Sequence, residues 1–136
     1  MILTTRFIEV TKTLSMMAML YFLCACKSTQ GSAHHFVGVE LLNVTEQAVE
    51  DVKLRDVESG GQVSCTHIEA NTACGTLFPS HDYHGQPIQL SYKYGHQFVT
   101  HEFHVDAPVS TTHPYRVYIR ITDNKPDVSV VKHNAH

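Results

Sequence analysis

The stretch Ile88-Gln-Leu-Ser-Tyr-Lys-Tyr94 alternates apolar and polar side chains without interruption. Side chains of a β-strand point alternately to its two faces, so the four large apolar residues of the stretch would share one face. Such a strand covers a core with one face and meets water with the other, as is typical of antiparallel sheets. The stretch therefore predicts a half-buried strand.

Similar runs recur along most of the chain after residue 35. They lie around residues 37–41, 51–55, 63–68, 99–105, 115–121 and 128–131. Turn-forming sequences separate several of them, namely Gly60-Gly61, Tyr94-Gly95-His96, Ala107-Pro108 and Asp123-Asn124. The chain is therefore expected to form about seven short strands.

Two sheets that are each apolar on one side must cover each other to leave water. We therefore predict an all-β domain over residues 36–132, a small antiparallel β-sandwich of immunoglobulin-like or transthyretin-like type. The stretch from Val39 to Val52 resembles the opening hairpin of many small extracytoplasmic β-domains. Within it, residues 44–51 are expected to form a turn leading into a strand, rather than a helix capped by Thr45.

The first 25 residues have the composition of an export signal. Arg6 and Lys12 make the beginning positive, and Leu14-Ser-Met-Met-Ala-Met-Leu-Tyr-Phe-Leu23 forms an apolar run. As a helix this run would be about 15 Å long, which is half the thickness of a hydrocarbon core. The run is therefore too short to be a stable transmembrane span.

The next residues, Leu23-Cys24-Ala25-Cys26, resemble the lipobox of bacterial lipoproteins. In that motif an aliphatic residue, a variable residue and a small residue precede an invariant cysteine. The resemblance implies a signal peptide over residues 1–25 and attachment of a diacylglyceryl group to Cys26, usually followed by acylation of its new amino group. Lys27, by its likeness to the sorting pattern of Gram-negative lipoproteins, implies the outer membrane, facing the periplasm.

The segments on either side of the predicted domain are short. Residues 26–35 comprise the lipidated cysteine and a run of small and polar residues, which is typical of a flexible tether. Residues 133–136 are expected to form a C-terminal tail. The domain would thus be held close to its lipid anchor.

Cys65 and Cys74 remain once the two cysteines of the targeting segment are set aside. In an oxidising periplasm the expected state of this pair is a disulfide, across the end of a strand and its following turn. A thiolate metal site that includes His67 is the alternative. A redox-active pair is disfavoured because the chain has no Cys-x-x-Cys motif.

Eleven histidines make this residue type unusually frequent, and all of them follow the targeting segment. His81 and His84 lie three residues apart in a predicted surface loop from Pro79 to Gly85. Glu102 and His104 would lie about 7 Å apart on one strand face. His101 falls on the apolar side of its run and is expected to be a core or edge residue.

We expect no metal ligands and no cofactor, because these histidines are spread over tether, loop, strand and tail, whereas a specific site needs three or four converging ligands. The alternative is a periplasmic copper- or zinc-binding lipoprotein that uses its histidines.

The charge balance excludes some partners. The chain has ten Lys and Arg against thirteen Asp and Glu, and outside the signal segment eight basic residues remain against twelve acidic ones. A nucleic-acid binder would have a basic patch instead. The chain also has no Gly-x-Ser-x-Gly, His-Glu-x-x-His or phosphate-binding loop. The sequence therefore predicts a non-enzymatic lipoprotein of the cell envelope, bound to the membrane through its lipid, with an envelope protein as its candidate partner.

Overall fold

The computed structural model describes residues 35–106 and 114–134, which form eight strands. These are β1 (Phe36–Asn43), β2 (Val49–Asp56), β3 (Gln62–Ile68), β4 (Ala73–Thr76), β5 (Ile88–Tyr94), β6 (Gln97–Phe103), β7 (Tyr115–Ile121) and β8 (Asp127–Lys132). No helix occurs in these two ranges, and hence no helix there has the length and apolarity to cross a membrane. The prediction of an all-β fold is confirmed, and the short strand β4 is additional to the predicted set.

The strands form two four-stranded sheets with the orders β4-β1-β7-β8 and β3-β2-β5-β6. Their apolar faces pack together, so the prediction of a small β-sandwich is confirmed. The expectation of purely antiparallel sheets is wrong at one pair, because β1 and β7 run parallel. Alternation within a strand reports which face is buried, and it carries no information about the direction of the neighbouring strand.

The connection between β1 and β2 crosses from one sheet to the other. The resemblance of Val39–Val52 to an opening hairpin is therefore misleading, since two strands of a hairpin would pair with each other. Residues 44–48 form the turn and β2 begins at Val49, so the preference for a turn and strand over a helix is confirmed.

The core lies between the two sheets and follows the alternation seen in the sequence. In β5, Ile88, Leu90 and Tyr92 are buried, and the residues between them are partly exposed. The opposite sheet contributes Val39 and Leu41 from β1, and further residues from β7. Among the described residues, the side chains that form this core are Val39, Leu41, Val49, Val52, Leu54, Cys65, Ile68, Phe78, Tyr83, Ile88, Leu90, Tyr92, Val105, Val117, Ile119 and Ile121.

One end of the sandwich is filled by three aromatic side chains, two of which come from outside the strands. Phe78 and Tyr83 come from the connection between β4 and β5, and their ring centroids lie 4.5 and 5.5 Å from that of Phe36, at the start of β1. Tyr83 is fully buried, and its hydroxyl accepts a hydrogen bond of 2.8 Å from the backbone N–H of Val105. The prediction of a surface loop over Pro79–Gly85 is therefore wrong at Tyr83.

At the other end of β1, the buried side chain of Asn43 joins two chain crossings between the sheets. Its Nδ2 donates to the carbonyl of Ile68, at the end of β3, and to that of Gln47, before β2. Its Oδ1 accepts from the backbone N–H of Thr45. A buried polar group is stable only when it is hydrogen-bonded, and here the side-chain amide is bonded on both sides.

The disulfide between Cys65 and Cys74 links the two sheets. Cys65 lies on β3 and Cys74 on β4, which are edge strands of opposite sheets, and their Cα atoms are 6.5 Å apart. The predicted disulfide is present, but it joins two strands rather than a strand and its turn. Because the two sulfur atoms are bonded to each other, the alternative thiolate site with His67 is wrong.

Removal of the disulfide should destabilise the domain. On the chain-entropy description, closing a loop of about ten residues contributes about 2.7 kcal/mol. We expect the Cys65→Ala/Cys74→Ala variant to lose about this much free energy of unfolding in urea titrations. The unaltered chain in reducing agent should lose the same amount and serves as the control. Equal stability of the oxidised chain and the double variant would contradict a stabilising role of the disulfide.

Replacement of Asn43 should also be costly. Asn43→Ala leaves the buried carbonyl of Ile68 without its donor, and we expect a loss of about 3 kcal/mol in the free energy of unfolding. Asn124→Ala, at an exposed asparagine, is the matched control and should change stability by less than about 0.5 kcal/mol. Similar losses for both variants in urea titrations would show that the Asn43 bonds are dispensable.

Candidate functional site

A cleft of about 290 Å³ lies at the end of the sandwich where β5 turns into β6 and β7 turns into β8. This is the end of β1 opposite to the aromatic cluster of Phe36, Phe78 and Tyr83. The cleft is lined from both sheets, by Thr45, Tyr92, Tyr94, Gln97, Val99, His101, Thr122, Asp123 and Asn124. Its volume is near the lower limit for small-ligand pockets, which typically hold roughly 300–1,000 Å³.

Strand register brings the aromatic side chains of the cleft together. Tyr92 is paired with Val99 and Tyr94 with Gln97, on the side of β5 and β6 that faces the other sheet. Strand β6 is an edge strand, so its inner face is only partly covered, and Val99 and His101 are half-buried. The cleft thus results from inward-facing residues at an incompletely covered edge.

His101 contributes a buried polar atom to the lining of the cleft. Its Nε2 is buried and has no hydrogen-bond partner among the residues that the structure describes. The imidazole packs near the ring of Tyr92, with the centroids 6.3 Å apart. The prediction of His101 as a core or edge residue is confirmed. An unpartnered buried nitrogen is energetically unfavourable.

The mouth of the cleft is negatively charged. The hydroxyl of Tyr94 donates to Oδ1 of Asp123 at 3.5 Å. Burial raises the pKa of Tyr92 above its ordinary value, and the nearby Asp123 carboxylate and Tyr94 raise it further, because each disfavours a phenolate. Asp123 is the only acidic residue among the residues lining the cleft, and none of those residues is a lysine or arginine.

The hydroxyls of the two threonines of the cleft are hydrogen-bonded to nearby backbone groups. The hydroxyl of Thr45 lies 2.8 Å from the carbonyl oxygen of Gln47. The hydroxyl of Thr122 donates to the carbonyl of Lys125 and accepts from the N–H of Asn124. These bonds hold the two turns that form the rim. The hydroxyls therefore shape the cleft. Its other polar side chains are those of Tyr92, Tyr94, Gln97, His101, Asp123 and Asn124.

The histidines outside the cleft that the structure describes have different surroundings. His81 and His84 are exposed, and His104 contacts the carbonyl of Gly85 through its Nδ1 at 2.7 Å. His67 lies between two carboxylates, 2.8 Å from Glu69 and 3.9 Å from Glu50. Within residues 35–106 and 114–134, no three or more His, Cys, Asp or Glu side chains are grouped for metal binding. Cys26 lies outside the described residues.

Asp56, a buried carboxylate, belongs to the framework rather than to a site. Its oxygens accept hydrogen bonds from the N–H groups of Glu58 and Ser59 and from Nε2 of Gln86. Burial opposes its ionisation, yet these hydrogen bonds outweigh burial and hold its pKa below the ordinary value. Asp56 is therefore ionised and fully used in closing the turn between β2 and β3.

The cleft could not be located from the sequence. Tyr94 and Asp123 are 29 residues apart, and each stands in or beside a sequence interpreted as a turn. They meet because two turns from different sheets lie at the same end of the sandwich. The only sign of the cleft in the sequence was His101, a polar residue on the otherwise apolar face of the run that forms β6.

No protein-family model matches the chain, and no curated protein is detectably similar to it.

Proposed function

We propose that this chain is a lipid-anchored protein of the bacterial cell envelope, at the outer membrane and facing the periplasm, whose β-sandwich acts by binding rather than by catalysis. The observation that carries the proposal is the sequence Leu23-Cys24-Ala25-Cys26, which follows a positive segment and an apolar run in the order typical of lipoprotein precursors. In this proposal Cys26 becomes the first residue of the mature protein.

The disulfide supports an extracytoplasmic location. Cys65 and Cys74 lie on different sheets, so their bond is part of the folded framework. Structural disulfides persist in oxidising compartments such as the periplasm and are rare in a reducing cytoplasm. The bond therefore agrees with export across the inner membrane.

The short distance in sequence between Cys26 and β1 restricts where the domain can act. The ten residues from Cys26 to His35 can extend over at most about 35 Å. Two or three acyl chains on Cys26 would anchor the protein stably. The domain would therefore work next to the membrane surface and contact partners of the envelope.

Binding is favoured over catalysis by how the polar groups are used. The threonine hydroxyls of the cleft and the carboxylate of Asp56 are bonded to the protein itself. The cleft combines apolar rings with a small number of polar groups, which is the composition typical of ligand sites.

Replacement of the acceptor cysteine tests the anchor. In cells labelled with a radioactive fatty acid, we expect Cys26→Ser to abolish labelling of the protein and to accumulate uncleaved precursor, because only a thiol can form the thioether. The matched control is Cys24→Ser, two residues earlier, which should be labelled and processed as the original chain is. Undiminished labelling of Cys26→Ser, or its loss only in Cys24→Ser, would contradict the assignment.

A further inference from the structure

Four large apolar side chains are exposed among the described residues, and two of these four lie in connections between strands. Val57 directly follows β2 and Leu77 directly follows β4, with 43% and 69% of their surface exposed. Phe98 lies at the start of β6, and Val131 lies near the end of edge strand β8. The two loop residues are therefore not explained by the alternation of the strands.

The loops that carry these two residues are in contact with each other. Gly61, in the β2–β3 turn, has no room for a side chain, because a Cβ there would collide with the carbonyl oxygen of Pro79. The backbone N–H of Val57 donates to the carbonyl of Pro87 at 3.1 Å. The β2–β3 turn and the β4–β5 connection thus meet at two points and form one surface.

The chain enters the domain at the same end of the sandwich. The carbonyl of His35 accepts a hydrogen bond of 3.0 Å from the backbone N–H of Tyr115, which fixes the start of the domain beside β7. The ring of Phe36 packs against that of Phe78 in the β4–β5 connection, with the centroids 4.5 Å apart. In the anchored protein, the segment that joins the lipid to the domain would therefore arrive beside the two loops.

The surface formed by residues 57–61 and 77–87, here named the tether end, carries little charge. Apart from two histidines, its charged residues are Glu58 and Asp82, and it has no lysine or arginine. Basic residues are what anionic lipid headgroups attract. The tether end is therefore suited to a zwitterionic lipid surface, which it would contact through apolar side chains.

We propose that the tether end rests on the membrane, with Val57 and Leu77 at the boundary between the headgroups and the acyl chains. This inference rests on the lipid anchor at Cys26 that is proposed above. Two apolar side chains alone would bind a membrane weakly. A short tether to an anchor in the same membrane keeps them at a high effective concentration beside it, so that a weak contact is sufficient to orient the domain.

The cleft would then face away from the membrane. Strand β1 has eight residues and spans about 26 Å, and the cleft lies at its far end. Phe98, at that far end, is 80% exposed and is the competing candidate for lipid contact. To bring Phe98 to the membrane, the residues before β1 would have to run alongside the domain. This would use most of their maximal length of about 35 Å and cost conformational entropy.

The test uses fluorescence, because the chain contains no tryptophan. Leu77→Trp and Phe98→Trp each introduce one tryptophan at an exposed position, at opposite ends of the sandwich. The full proteins, with the lipid verified by mass spectrometry, are reconstituted at pH 7.5 in phosphatidylcholine vesicles that are brominated on the acyl chains near the glycerol. Bromine quenches an indole only at close range. We therefore expect quenching of about half the emission of Leu77→Trp, and of less than about a tenth of that of Phe98→Trp.

Further variants assign the quenching to apolar contact. With Val57→Trp as the reporter, an added Leu77→Ser should reduce quenching about twofold, because it removes the neighbouring apolar side chain. An added Phe98→Ser is the matched control and should leave the quenching unchanged. Replacing part of the phosphatidylcholine with anionic phosphatidylglycerol should not increase the quenching of Leu77→Trp, because the tether end has no lysine or arginine.

The outcomes separate this inference from the anchor itself. Equal quenching of Leu77→Trp and Phe98→Trp, stronger quenching of Phe98→Trp, or no quenching of either in protein that carries the lipid would overturn the orientation and leave the anchor standing. Protein without lipid on Cys26 would overturn the anchor and the orientation together. Quenching that rises with phosphatidylglycerol would show recognition of charge and contradict the apolar contact.

Discussion

The fold depends on two linkages at the edge formed by β3 and β4. The chain crosses between the sheets after β1 and again after β3, and the buried amide of Asn43 is hydrogen-bonded to both crossings. The disulfide Cys65–Cys74 joins the same two edge strands covalently. A domain of this size buries a limited core, so a covalent link and a satisfied polar network contribute a substantial part of its small net stability.

This arrangement leaves the two ends of the sandwich different from each other. Near the start of β1, the rings of Phe36, Phe78 and Tyr83 fill the space between the sheets. Near its end, the space beside β6 is only partly filled, and the cleft of Tyr94, His101 and Asp123 results. The uncovered edge beside β6 provides the opening of the cleft.

The sequence was sufficient for the features that depend on local pattern. Alternation along β5 identified the buried face, and the compartment implied by the lipobox resemblance made the pairing of Cys65 and Cys74 the expected state. Features that depend on contacts between distant segments could not be predicted. Three features are of this kind: the parallel pairing of β1 with β7, the burial of Tyr83 and the contact of Tyr94 with Asp123. A pattern of side chains shows which face of a segment is buried, but it does not show which other segment covers that face.

The disulfide joins β3 and β4 directly, so it should hold this edge more strongly than it holds the β5–β6 side, which carries the cleft. The most direct measurement is amide hydrogen exchange of the full chain, oxidised and reduced, under conditions where both forms are folded. Reduction should accelerate exchange most in Gln62–Ile68 and Ala73–Thr76. In Ile88–Tyr94 the acceleration should stay within the roughly 100-fold that corresponds to a loss of about 2.7 kcal/mol in global stability. Acceleration of equal size in all strands, or acceleration greatest in β5 and β6, would contradict this expectation.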